Sequence, residues 1–523
     1  MFYLAARRLL AGLAVAGAVV APATAPAYAA PAAATTIDMY VGDSTVPRGP
    51  AGLDLGPDLW ASAPIDLHQP SITYQLSDGL AGVTLTGPKG DTHCTKESAT
   101  KLVCAWDFDL SLSPDATAGP LSAHLRASAL RAKIGATGTV TATLAGEGVA
   151  PVTRTARVRV AQNVDLATDE LFEVSAAPGD DFEAPLVVRN EGVRTIDGVT
   201  ALFYDDYAFQ PRQQYSNCTY SGGRLRSCTF DARIPRGASV DATLEYKLRA
   251  DTYAPGYEAG EVILLTPDEA EDYRAYLQAR GGTWGTPGAG GTLELSPSLA
   301  ALRRPQSDAH PDNNYGIIDL KVTGKQGADL VAKGAEVKGA AGAEVTATVG
   351  VRNNGPATID WNRSGETIAT TDVDVPAGTT VLTVPAGCRQ TVDGQVDGDQ
   401  PAKPGFAHYQ CASGYLVKAG ETISYAFGLR IDKVVPNATG VVAVNNPCEC
   451  SIFADDLDLT NNKAAIVVNA AGTPGNGGQG GGGGSLPITG PMGATIAGVG
   501  VLLLAAGGVG FAMARRRRTR FVA

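Results

Sequence analysis

Apolar and polar residues alternate with a period of two along most of this chain. Between residues 344 and 352, Val345, Ala347, Val349 and Val351 alternate with Thr346, Thr348, Gly350 and Arg352. Further on, Ile423, Tyr425, Phe427, Leu429 and Ile431 keep one apolar face through five pleats. The sets Leu244, Tyr246, Leu248, then Val140, Ala142, Leu144, and Ala156, Val158, Val160 do the same upstream. Successive strand side chains point to opposite faces, so such a pattern buries one face and leaves the other wet. Many short strands punctuated by Gly and Pro predict an all-β chain of tandem β-sandwiches. Residues 266–280 are the exception. Thr266-Pro267-Asp268-Glu269 combines a cap, a first-turn proline and acids at the positive end of the helix dipole, which predicts a short helix ending at Gly281 and Gly282. The glycine-rich segment beyond it, to Gly291, is expected to be mobile.

The body also repeats itself. Residues 188–197 read VRNEGVRTID and residues 351–360 read VRNNGPATID, with seven of ten positions identical. Each copy follows an alternating strand and precedes a cysteine pair, Cys218 and Cys228 or Cys388 and Cys411. A fainter copy upstream has Cys94 and Cys104 at the same nine-residue gap as the first of these pairs. The two later units also close alike, with Asn313-Asn314 and Asn461-Asn462 before a final apolar strand; asparagine suits such turns because its side chain bonds its own backbone. These boundaries divide the body into units 30–164, 165–325 and 326–470. Alternation, the paired-asparagine turn and the VRNNGP segment resemble the immunoglobulin-like repeats of bacterial surface proteins. That resemblance covers the second and third units well and the first poorly, and it implies immunoglobulin-like β-sandwich architecture rather than any one activity.

Both ends differ from the body. Residues 1–29 hold Arg7 and Arg8, an apolar stretch from Leu9 to Val20, and Ala27-Tyr28-Ala29. That order predicts a secretory signal peptide cleaved after Ala29. At the other end, a glycine-rich tether (471–485) leads to Leu486-Pro487-Ile488-Thr489-Gly490, then 24 uncharged residues (491–514) and Arg515 to Arg518. The uncharged run exceeds the roughly 18 to 20 residues that span a bilayer, predicting a transmembrane helix, and the arginines hold the carboxyl end in the cytoplasm. Pentapeptide, apolar span and basic tail over 486–523 resemble the LPXTG sorting signals of Gram-positive, including actinobacterial, surface proteins. The resemblance implies cleavage by sortase between Thr489 and Gly490, and transfer of the Thr489 carboxyl to peptidoglycan; Leu486 and Pro487 would be recognition residues. The protein would then be secreted, inserted in the membrane only transiently, and held in the cell wall.

Charge and cysteines agree with that placement. The chain has 42 basic and 53 acidic residues, and seven of the arginines lie in the two terminal devices, leaving a mature part near −18. Such a surface repels nucleic acid and anionic polymers. Eight cysteines in an exported chain predict disulfides. Spacing pairs Cys94 with Cys104 and Cys218 with Cys228, and the repeat pairs Cys388 with Cys411. Cys448 and Cys450 are left over, and a rival connectivity joins each of them to Cys388 or Cys411.

Motifs for chemistry are sparse. Gly42-Asp43-Ser44 resembles the opening of the GDSL hydrolases, in which the serine is the nucleophile, but Asp308-Ala309-His310 departs from the Asp-x-x-His spacing that family needs. The histidines are scattered, and Asp205-Asp206 is a paired carboxylate without a marked partner. No metal or cofactor is expected; the weak calcium candidates are Asp393, Asp397 and Asp399 in one loop and Asp455, Asp456 and Asp458 in another. By similarity to wall-anchored stalk domains, Lys333 or Lys338 could join Asn461 or Asn462 in an isopeptide bond, though solvated lysines and turn asparagines fit the pattern better. The resulting expectation is a non-enzymatic surface protein, structural or adhesive, with an unknown extracellular ligand. A wall-anchored hydrolase and a pilin-like self-polymerising subunit are the alternatives.

Overall fold

The computed structural model describes residues 35–90, 92–114, 122–297, 302, 304–360, 368–397, 402–445 and 456–470. Ala29 and the signal segment, the glycine-rich tether, the LPITG pentapeptide and the run 491–514 lie outside these residues, as do Cys448, Cys450, Asp399 and Asp455. Among the described residues no helix is long and apolar enough to cross a membrane.

The described chain is mostly β-sheet. Its α-helix, α1, is Pro267–Ala279, and single 3-10 turns occur at Pro311–Asn313 and Leu459–Asn461. Three main hydrophobic cores form in chain order: one from Met39 to Val160, one from Val164 to Val322, and one from Ala328 to Ile466 that also takes in Tyr253. Alternation explains how they close. Glu344–Asn353 and Thr422–Ile431 pair so that Val351 meets Ile423, Val349 meets Tyr425, Ala347 meets Phe427 and Val345 meets Leu429. The apolar face read along each strand is thus matched residue by residue across the pair, the unit from which sheets gain stability.

The first module is built on a central sheet in the order Ser44–Pro47, Val152–Val164, Thr137–Ala145, Ser71–Leu76, Lys101–Ala105, Cys94–Lys96, with Gln306–Asp308 added along Val152–Val164. A smaller sheet of Leu53–Leu55, Ala123–Ala127 and Val83–Thr86 shares its core.

The second and third modules share one plan. In the second, a four-stranded sheet (Leu166–Ala167, Asp181–Asn190, Ser239–Leu248, Phe209–Pro211) faces a seven-stranded one. The larger sheet runs Leu171–Ala176, Tyr315–Gln326, Ala254–Leu265, Ile196–Asp205, Arg224–Ile234, Cys218–Ser221, Thr286–Pro287. The third repeats this with Leu330–Lys333, Glu344–Asn353, Thr422–Ile431 and Thr379–Thr383 opposite a seven-stranded sheet ending in Cys388–Val392 and Gln395–Val396. In both, the chain enters through the small sheet, crosses to the large one and runs parallel to the module's last strand: Leu171 lies beside Ile317, and Ala335 beside Ile466. Phe182, Phe209 and Tyr246 pack with ring centroids 5.3 to 5.4 Å apart in the second core; each such pair is worth about 0.5–1.5 kcal/mol beyond its buried area.

Disulfides join Cys94 to Cys104, Cys218 to Cys228 and Cys388 to Cys411. Each links residues directly opposite one another on adjacent strands, with Cα atoms 3.9 to 4.0 Å apart. All three staple the same region, near the edge of the larger sheet, where strands are most prone to fray or to pair with other chains.

The glycine-rich segment after α1 departs from expectation. It is fastened to the sheet edge: Thr286–Pro287 pairs with Cys218–Ser221, Gly290 donates to the Gln214 carbonyl at 2.7 Å and Gly288 to that of Cys218 at 3.1 Å. A Cβ on Gly285 would sit 2.7 Å from the Tyr220 carbonyl oxygen, and one on Gly288 2.3 Å from that of Gln214. Here glycine permits close backbone approach rather than motion.

Candidate functional site

The repeated VRN segment places a buried asparagine at the same point of two modules. The Nδ2 of Asn190 donates to the carbonyls of Arg194 and Ile234 at 2.7 and 2.8 Å, and its Oδ1 accepts from the Gly192 amide at 3.1 Å. Asn353 does the same with Ala357, Val417 and Gly355 at 2.7, 3.2 and 3.0 Å. The glycine two residues on is obligatory, since a Cβ on Gly355 would lie 2.5 Å from the Asp329 amide nitrogen and one on Gly192 3.0 Å from that of Asp165. What crowds these glycines is the incoming strand of the same module.

That incoming strand is held by the module's own last turn. The Asp308 carboxylate accepts from the Leu166 amide at 2.7 Å, and Asn313 donates to Asp165 at 3.0 Å. In the third module Asp456 accepts from the Leu330 amide at 3.3 Å, and Asn461 donates to Asp329 at 2.8 Å. The spacing Asp-x-x-x-x-Asn-Asn is common to both turns. The sequence shows the paired asparagines and both aspartates, but not that each aspartate accepts from the entering strand; their shared spacing of five residues before the asparagines is the signal for that role. Asp456 also accepts from Asn462, and Asp458 caps the amide of Thr460. Asp397 accepts from Gln390, and Asp393 sits at positive φ in a turn. Of the calcium candidates, these four therefore serve turns, and among the described residues no group of three or more His, Cys, Asp or Glu is placed to hold a metal ion.

Helix α1 seals the first module to the second. Thr266 and Glu269 form the expected capping box. Glu269 is then reused: it accepts from the Ser307 hydroxyl at 2.8 Å and the Asp308 amide at 2.7 Å. Burial pushes Glu269 upward, and burial together with the Glu269 charge pushes Asp308 up to about 7. Other acids of α1 face the first module. Asp268 pairs with Arg159 at 2.7 Å, Glu271 with Arg157 at 3.4 Å, and Asp272 accepts from Thr45 at 2.5 Å. Burial raises Asp272 to about 6 despite both arginines. Asp43 joins from the first module through Arg157, and His310 closes the other end on Asp165 at 2.7 Å.

A smaller contact joins the second module to the third. The Thr358 amide donates to the Asp251 carbonyl at 2.6 Å, while the Thr358 and Tyr207 hydroxyls both donate to its carboxylate at 2.7 Å. The Arg249 guanidinium stacks 4.4 Å over the Tyr207 ring. Burial works against the Asp251 charge, but these hydrogen bonds and Arg249 outweigh it and hold the carboxyl below its ordinary value.

The remaining sequence candidates are not brought together. Ser44 is buried and its hydroxyl donates to the Gly42 carbonyl, while Asp43 accepts from the Arg157 amide. His68, His124 and His408 each meet one aspartate, and His93 stacks on Trp106. Asp205 is enclosed in the second core: Tyr246 donates to its Oδ2 at 3.1 Å and its Oδ1 has no hydrogen-bond partner. Burial drives it up to about 7. Asp206 beside it accepts from the Ala259 amide at 2.7 Å. Lys333 and Lys338 are exposed, and the Asn461 and Asn462 amides are committed to Asp329 and Asp456. Chemically, the carboxylate networks act as interlocks between strands and between modules.

No family model matches this chain, and no curated protein matches it. Among solved structures it is similar to a Corynebacterium diphtheriae protein described provisionally as membrane anchored, with 12% identity, 84% of this chain and 92% of that chain covered, and a TM-score of 0.17. A cohesin of Acetivibrio cellulolyticus in complex with a dockerin shares 13% identity over 27% of this chain and 99% of its own, with a TM-score of 0.17. Red sea bream transglutaminase shares 9% over 56% of this chain and 32% of its own, also with a TM-score of 0.17. At these scores none of the likenesses assigns the chain to a family.

Proposed function

We propose that this chain is a cell-wall-anchored surface protein that displays interlocked β-sandwich modules outside the cell, structural or adhesive rather than enzymatic. The observation that carries the reading is the order LPITG, 24 uncharged residues, Arg515 to Arg518, with a signal-like segment at the opposite end. In this reading a sortase thiolate attacks the Thr489 carbonyl carbon, the peptide bond breaks and the Gly490 amine leaves. A peptidoglycan amine then displaces the thiolate and forms an amide with Thr489. The partners are thus sortase and, covalently, peptidoglycan, and the excess of acids disfavours nucleic acid. Three disulfides support an oxidising location. Carboxylates that close junctions support a role in holding shape.

The test is fractionation of cells expressing the protein or its Thr489→Ala variant. Muramidase should release the natural protein from the wall, and the variant should move to the membrane or the medium. Equal wall retention of both would overturn the reading.

A further inference from the structure

The outer face of the second module carries three arginines that make no ion pair among the described residues. Arg224 and Arg226 lie on Arg224–Ile234, beside the strand that carries Tyr204, and on α1 Arg274 follows Tyr273, whose hydroxyl meets that of Tyr204. Arg224 donates to the Asp205 carbonyl at 3.3 Å. Arg274 stacks 4.5 Å over the ring of Trp284. Arg226 is half-buried, and its guanidinium makes neither a hydrogen bond nor an ion pair among the described residues. A guanidinium presents five donors in a fixed fork, and partial burial without a counter-charge is costly. Burial and, after it, the neighbouring Arg224 charge push Arg226 downward against the opposing pull of Asp205 beneath it.

The backbone aims this side chain deliberately. Thr219 pairs with Ser227 and Tyr220 with Leu225, so Arg226 is the extra residue of a β-bulge. Bulges re-aim side chains where they occur. Around it stand rings with polar tips: the Tyr204 and Tyr273 hydroxyls bond each other, and Trp284 meets Tyr273 edge-on at 6.3 Å. Both Tyr273 and Trp284 are half-buried. The nearby acids are accounted for. Asp205 is enclosed below, and Glu261, opposite Tyr204 in the register, is bonded to Tyr315.

We propose that Arg224, Arg226 and Arg274, with Tyr273 and Trp284, form a binding site for an acidic polysaccharide, its uronate or phosphate group held by the guanidinium forks. A pair of carboxylate or phosphate oxygens matches the arginine fork bidentately. The part of these half-buried rings that stays open supplies apolar surface for the C–H face of a sugar. Charge selects against the denser alternative: the chain as a whole carries −11. The net charge opposes every polyanion, so binding falls to the local basic patch, and a polymer whose anions are spaced more widely than those of duplex nucleic acid is opposed less. The site gives an adhesive content to the surface-display reading, on which it rests only for access to polymers outside the cell.

The test is titration calorimetry of the purified full chain with polygalacturonate and with phosphomannan as separate arms, and with neutral mannan and double-stranded DNA as controls. At least one acidic polymer should bind, and which one does so tells uronate from phosphate. Neutral mannan and DNA should not bind. Arg226→Gln should weaken binding by about 10-fold, the loss of one charge-assisted contact, and Arg226→Lys should fall between. Both variants should retain the natural circular dichroism spectrum; if Arg226→Gln does not, Arg274→Gln, at an exposed helix position, takes its place with the same expectation. Absence of binding to both acidic polymers, equal binding by folded Gln variants, or equal binding of DNA would overturn the site. Because binding is read in solution, these outcomes leave the Thr489 fractionation result unaffected, and that result leaves them unaffected.

Discussion

Asp205 makes the second module's stability depend on pH in a direction opposite to that of a salt-bridged acid. The residue is 3% exposed, and among the described residues Tyr246 donates the one hydrogen bond that its carboxylate receives, leaving Oδ1 unpartnered. Its carboxyl therefore keeps its proton in the folded module up to about 7, against 3.8 in the unfolded chain. A group whose folded value is raised stabilises fully below the unfolded value, and that contribution is lost as pH rises through the folded one. Between about pH 5.5 and pH 8, a shift from 3.8 to about 7 amounts to a loss of about 2 kcal/mol. Glu269, Asp272 and Asp308 are also raised by burial and act in the same sense. The natural chain should thus lose more than Asp205 alone accounts for, and comparison with Asp205→Asn isolates the one residue. A three-module chain does not unfold in one step, so the suitable measurement is native-state amide exchange, corrected for intrinsic rates. In Ile196–Asp205 and Ala254–Leu265, protection should fall from about pH 5.5 to pH 8 by about 2 kcal/mol more in the natural protein than in the variant. An equal fall in both would refute the burial argument.

Other expectations follow from the repeated elements. Asn353→Ala leaves the Ala357 and Val417 carbonyls and the Gly355 amide without this partner; at the lower end of the about 1–3 kcal/mol for each buried orphan, the third module should lose at least roughly 3 kcal/mol, read as a shifted urea midpoint for its amides. Replacing Cys388 and Cys411 together by Ala opens a loop with a sequence separation of 23, and Cys218 with Cys228 one of 10. Chain entropy gives about 3.5 and about 2.8 kcal/mol, so the first pair of changes should lower its module's thermal midpoint further.

How much of this was legible in the sequence depends on the range of the interaction. The alternation at Glu344–Asn353 and Thr422–Ile431 was readable because burial of one face is a local property with a fixed period. The pairs Cys94–Cys104 and Cys218–Cys228 were readable because they bridge neighbouring strands. The α1 cap was readable because a capping box is complete within four residues. The second use of Glu269, as acceptor for Ser307 and the Asp308 amide, was not: those donors arrive from 38 and 39 residues away. Arg226 was equally silent, since its placement depends on a bulge that only the pairing of Cys218–Ser221 with Arg224–Ile234 creates. The glycine segment misled because composition reports freedom in the unfolded chain, whereas Gly285 and Gly288 are shaped by backbone pressed against them.

In each of the later modules the entering strand lies parallel to the exit strand, Leu171–Ala176 along Ile317 to Val322 and Ala335–Val337 along Ile466 to Val468. A protein tethered at its carboxyl end and gripped at its far end is pulled through those two strands in opposite directions. The hydrogen bonds between them are then sheared together instead of being unzipped one by one. The Asp-Asn turn that fastens the entering strand to the last turn lies at the same place and shares that load. The arrangement should therefore yield at higher force than an antiparallel hairpin of equal length, and single-molecule extension would register it as sharp, separate rupture events for the two modules.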